Sequence, residues 1–164
     1  MFWLYLTEFV LAMILGAGQF AWPTWLRLFQ QPPDLAAILL VIVGLTRGPV
    51  EGCWTGLVAA LAIGSLGSIP LGGLFVGYMG AGAVLGLLGG RIFPNYIPVV
   101  MLVTVAAVPV INAVELLFLP PASLGPWLTG TVSRAVISGL VAAPLVALLR
   151  PLMYYLSPAS QRQT

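Results

Sequence analysis

Six apolar stretches alternate along this chain with short breaks rich in Pro, Gly, Arg and Asn. The first, 2–25, has Thr7, Glu8 and Gln19 as its polar interruptions and ends in Trp22-Pro23 and Trp25, a composition suited to a membrane interface. Arg27 to Asp34, with Gln30-Gln31-Pro32-Pro33, breaks any helix. A second apolar segment, 33–46, holds only the twelve-residue run Leu35 to Thr46. Such a run rises about 18 Å, so it either begins earlier or sits where the bilayer is thinned and other helices cover it. Arg47-Gly48-Pro49 ends it, and Pro49 suits the first turn of a third helix, 49–64. Ser65 to Gly72 reads as a loop. A fourth helix follows over 73–92, a fifth over 97–119 with Pro109 as an expected kink, and a sixth over 126–150 before a polar tail, Ser157 to Thr164.

Composition turns these stretches into membrane spans. Of 164 residues, 60% are hydrophobic and 6% charged, and the mean hydropathy is +1.09. Soluble domains carry about 25% charged residues, so lipid is the expected solvent. A crossing needs about 20 apolar residues, which fills the chain with six spans and makes residues 1–164 one polytopic domain. The expected fold is an all-α six-transmembrane-helix bundle. The first basic residue is Arg27, so the N-terminus lacks the positive region of a cleavable signal and the first segment is expected to stay as an anchor.

With six crossings, Arg47, Arg91, Arg150 and Arg162 fall on the side of both termini and Arg27 alone on the other. The positive-inside bias then puts both termini in the cytoplasm and the 64–72 loop outside. If the short second segment is re-entrant, five crossings remain and that orientation argument partly fails.

Small residues recur every fourth position through the third helix: Gly48, Gly52, Gly56, Ala60, Gly64 and Ser68. The fourth helix has Gly73, Gly77 and Ala81, and beside them Gly82, Gly86 and Gly90. Lipid supplies no hydrophobic gain on helix association, so such ridges work by close backbone approach. Helices three and four are the expected tight centre. Gly80-Ala81-Gly82-Ala83-Val84-Leu85-Gly86 looks like a dinucleotide fingerprint with one residue too many, but it lies within an apolar helix and follows no strand.

Charges inside apolar runs are costly and need partners or a wet cavity. Glu115 and Arg134, with Asn112 one turn before Glu115, fall near the outer ends of helices five and six, where an ion pair between the two is expected; the alternative is that they line a polar cavity open to the outside. Glu8 is expected to snorkel to the cytoplasmic interface. Arg47 and Glu51, four apart, are expected to pair locally or to meet a cytoplasmic partner.

The charged residues are six Arg, three Glu and one Asp, with no Lys and no His. No histidine triad, His metal site or Ser-Lys dyad can be built, and there is no Walker loop or nucleophile elbow. Cys53 is alone and reads as packing. Scattered Arg residues make no nucleic-acid stripe. No catalytic, cofactor or metal residues are expected.

The order of features resembles the rod shape-determining MreD family. The resemblance rests on Pro33-Asp34 opening an apolar run, Arg47-Gly48-Pro49 with Gly52 and Gly56-Leu57, Ser68-Ile69-Pro70-Leu71-Gly72, and Gly77-Tyr78 in a helix ending at Arg91. It covers about residues 33–93. That family commonly has an Asp just before the Ser-containing loop, where this chain has Gly64-Ser65-Leu66. The resemblance implies a non-catalytic subunit of the bacterial cytoplasmic membrane in the cell-elongation, peptidoglycan-synthesis machinery. Implied partners are MreC through its membrane span and, directly or through it, RodA, a penicillin-binding transpeptidase and MreB, besides membrane lipid. The family is similar in fold to the substrate-binding subunits of energy-coupling-factor transporters, so the alternative is a vitamin-binding subunit with a pocket beneath the outer loop. The interaction candidates are Gly52, Gly56, Ala60, Gly73, Gly77, Pro70, Leu71, Gly72, Arg47, Glu51, Asn112, Glu115 and Arg134.

Overall fold

The computed structural model describes residues 2–23, 31–67, 70–89 and 97–156, and the side chains of 5–23, 31–67, 70–89 and 97–149. Six helices account for nearly all of them: α1 Phe2–Gly18, α2 Leu35–Arg47, α3 Pro49–Leu66, α4 Leu71–Gly89, α5 Ile97–Phe118 and α6 Leu124–Leu156. Among the described residues there is no strand. Four helices, α3 to α6, are long and apolar enough to cross a bilayer, whereas α1 and α2 are shorter apolar helices. Lipid leaves a backbone no partner but itself, which is why so apolar a chain is almost wholly helical.

The bounds depart from the sequence reading in ways that matter. α1 stops at Gly18, before the Trp/Pro cluster, and Gln19 just beyond it is buried. α2 starts two residues later than expected because the Asp34 side chain accepts from Ala37 N and caps it. Of the expected 65–72 loop, Ser65 and Leu66 belong to the end of α3, and Leu71 and Gly72 to the first turn of α4. α6 begins at Leu124 and runs through Pro126 and Pro144. Pro109 lies inside α5. Arg27, Ser68, Gly90, Arg91 and the tail 157–164 lie outside the described residues.

α2 is the centre of the bundle. Every residue from Leu35 to Leu45 is buried, and α2 packs against all five other helices. A helix apolar on all sides belongs in such a place. Its 13 residues rise only about 20 Å; of the two expected explanations, cover by other helices is the one observed.

Glycine contacts fix the directions. Gly52 faces Gly82, Gly56 faces the Tyr78 backbone and Gly86 faces Pro49, so α3 and α4 are antiparallel in the closest pairing of the fold. Gly82 faces Leu40, Gly44 faces Leu85 and Gly89 faces Leu45, so α2 and α4 run parallel. Gly139 against Val105, with Asn112 near Thr131, makes α5 and α6 antiparallel. One end of the bundle therefore carries the α3–α4 and α5–α6 turns, here the hairpin end. The other carries the α2–α3 turn at Gly48, whose φ of 104° is open to glycine at little strain. Pro49 then opens α3, as the sequence suggested.

Candidate functional site

Among the described residues the charged side chains form two separate groups, one toward each end. At the Gly48 end, Glu8 of α1 is buried and ion-paired with Arg47, the last residue of α2. Two expectations change here. Glu8 does not snorkel outward, and Arg47 takes it in place of Glu51. Glu51, half-buried one turn beyond Arg47, faces it only electrostatically. α1 packs against both α2 and α3, which brings Glu8 within ion-pair reach of Arg47.

The second group is built around Asp34, which is 0% exposed. Its Oδ1 accepts from Ala37 N at 2.9 Å, and its Oδ2 accepts from the Tyr78 hydroxyl at 2.7 Å. Its own N–H donates to Ser138 Oγ at 2.8 Å, and the Ser138 hydroxyl donates to the Arg134 carbonyl at 2.7 Å. Arg134 Nη2 stands 3.7 Å from Asp34 Oδ2. That distance makes a Coulombic pair and leaves the short, charge-assisted hydrogen bond to Tyr78. Three helices thus converge on one aspartate: the start of α2, the middle of α4 and two successive turns of α6.

The expected Glu115–Arg134 ion pair is not formed. α6 begins at Leu124, so Arg134 lies about 15 Å along it, whereas Glu115 is only about 4.5 Å from the end of α5. The cation is deep enough to meet the start of α2, and Asp34 takes it. Glu115 stays half-buried within electrostatic range of Arg134. Between the two levels Asn112 Nδ2 reaches Thr131 Oγ1 at 3.4 Å, with both residues buried.

Small-residue candidates are occupied from within the chain. A Cβ on Gly52 or Gly56 would collide with the α4 backbone, at 3.0 Å from Gly82 C and 2.7 Å from Tyr78 C respectively. Ala60 is 0% exposed. The second ridge faces α5: Gly73 lies against the Phe118 ring and Gly77 against the Ile111 backbone. Pro70, Leu71 and Gly72 are exposed at the hairpin end, with Gly72 also close to Phe118.

Sequence reasoning passed over Asp34, Tyr78, Thr131 and Ser138 as site residues. The signal for Asp34 was available: an Asp immediately before an apolar run is an N-cap, and the run was too short to start at a membrane surface. Tyr78 carried none beyond its place beside Gly77. Among the described residues no group of three or more His, Cys, Asp or Glu could hold a metal ion. The Asp34 carboxylate, with both oxygens engaged and a cation alongside, is arranged to hold three helices together. Comparison with protein-family models, curated proteins and solved structures gave no match.

Proposed function

We propose that this chain is a non-catalytic membrane scaffold of the bacterial cell-elongation machinery, binding the membrane span of MreC and thereby helping to organise RodA, its penicillin-binding transpeptidase and MreB. The observation that carries the reading is where the MreD-like motif residues fall. Asp34, Gly48-Pro49, Gly52, Gly56 and Tyr78 lie in the α2–α3–α4 packing, while Arg47 meets α1 and Gly77 meets α5. The ordered motif is therefore an ordered set of helix contacts. Its acidic groups Glu8 and Asp34 are engaged with cations of the same chain. What the protein offers its surroundings is apolar helix surface, including Leu102, Val110 and Leu117 on α5 and Val132, Val136, Leu140 and Leu148 on α6.

The glycine stripe of α3 is filled by α4, so the partner span belongs on the outer faces of the bundle and not in the stripe. In this reading the protein sits in the cytoplasmic membrane with both termini inside. Co-expression with MreC and purification in mild detergent tests it: the two should co-elute, and separation under conditions that keep this chain folded would overturn the proposal.

The energy-coupling-factor reading draws its support from Asn112, Thr131 and Glu115 at the hairpin end. A vitamin retained through purification would favour it over the scaffold.

A further inference from the structure

Charge accounting among the described residues leaves two carboxylates, Glu51 and Glu115, outside any ion pair. Asp34 and Arg134 offset one another at 3.7 Å, and Glu8 pairs with Arg47. Glu115 sits half-buried with no cation at ion-pair distance among the described residues. On the same face of α5, three residues earlier, Asn112 is 7% exposed and its Oδ1 has no hydrogen-bond donor. Buried amide oxygens are normally satisfied, and leaving one unpaired is costly. Across the α5–α6 seam the buried Thr131 hydroxyl oxygen accepts from Asn112 Nδ2, which leaves Oδ1 as the open acceptor of the amide.

A carboxylate outside any ion pair and an amide oxygen without a donor share this face of α5, and together they ask for hydrogen-bond donors and positive charge. A primary ammonium has three N–H donors, a positive charge and no acceptor. We infer that the Asn112–Glu115 corner is a binding site for a primary ammonium group, carried either by a small free amine or by the phosphatidylethanolamine headgroup. Depth agrees with the lipid source. Glu115 lies about 4.5 Å inside the end of α5, at the level where headgroups meet hydrocarbon, and its half exposure gives access from the hairpin end. A quaternary ammonium has the charge without the N–H donors and would leave the amide oxygen unpaired. The inference stands apart from the scaffold reading and needs no partner protein.

The test uses the purified full chain in nanodiscs with equimolar phosphatidylethanolamine and phosphatidylcholine, and native mass spectrometry to count the lipids retained. Phosphatidylethanolamine should be retained about tenfold over phosphatidylcholine, and Glu115→Gln should abolish the preference while leaving the thermal midpoint within a few degrees. Glu51→Gln, at the opposite end, should leave the preference intact. Added ethanolamine distinguishes the sources: displacement of the lipid assigns the site to free amines, persistence assigns it to the headgroup. Equal retention of the two lipids together with no binding of free ethanolamine in phosphatidylcholine alone, or a preference that survives Glu115→Gln, would overturn the inference.

Discussion

An aspartate capping an exposed helix can be replaced at a cost of about 1 kcal/mol. Asp34 caps α2 while wholly buried beside Arg134, and its replacement should cost more. Asp34→Asn keeps a capping side chain but leaves the guanidinium without its counter-charge, and breaking such a pair costs about 3–5 kcal/mol when fully buried. Arg134 retains some exposure, so the expected loss is about 3 kcal/mol, read as a fall in the thermal midpoint in detergent. Arg134→Met added to Asp34→Asn should restore part of it, because the stranded cation is gone. Independent, additive losses would show that the two side chains do not interact. Tyr78→Phe removes only the hydroxyl donor and should cost about 1–2 kcal/mol by the same measurement. Arg134 was legible in the sequence as a charge in need of a partner. Its partner was not, because one residue count along α6 decides between Glu115 and Asp34, and the start of that helix was placed two residues late.

At the level of helices, the four-residue spacing of small residues announced a close contact and the structure puts α4 in it. Gly56→Ala places a methyl against the Tyr78 backbone, which can only yield by moving a helix. We expect a loss of about 2 kcal/mol or more in unfolding stability. Gly80 is the control from the same sequence neighbourhood: nothing lies within 4 Å of a Cβ there. Gly80→Ala should be neutral, or gain up to about 1 kcal/mol through helix propensity. Equal effects at the two positions would show that the α3–α4 approach is not close. Spacing alone could not say which ridge meets which helix. Gly73 and Gly77 turn to α5, whereas Gly82 and Gly86 turn to α3, and the two sets differ by about half a turn.

For the molecule as a whole, composition was enough to give a helical membrane protein, and four helices are long and apolar enough to span. What composition could not give was the enclosure of α2, since a buried short helix and a thin membrane segment have the same hydropathy. Alternating helix directions bring the start of α1 and the far end of α6 to the Gly48 end. Reporter fusions at the two termini should therefore report the same side of the membrane, and the scaffold reading further expects that side to be the cytoplasm. Reporters on opposite sides would require one helix fewer across the bilayer.

The enclosure of α2 has a consequence for how the protein is made. Its capping carboxylate leaves the ribosome well before the groups that receive it, Ser138 being 104 residues further on. During that interval a short segment headed by a charged group has neither the length nor the company to rest in lipid. Nascent chains released before α6 is complete should thus be cleared by membrane quality control, while full-length chains persist, a contrast measurable by pulse-chase. Synthesis of the last span closes a clasp on the second.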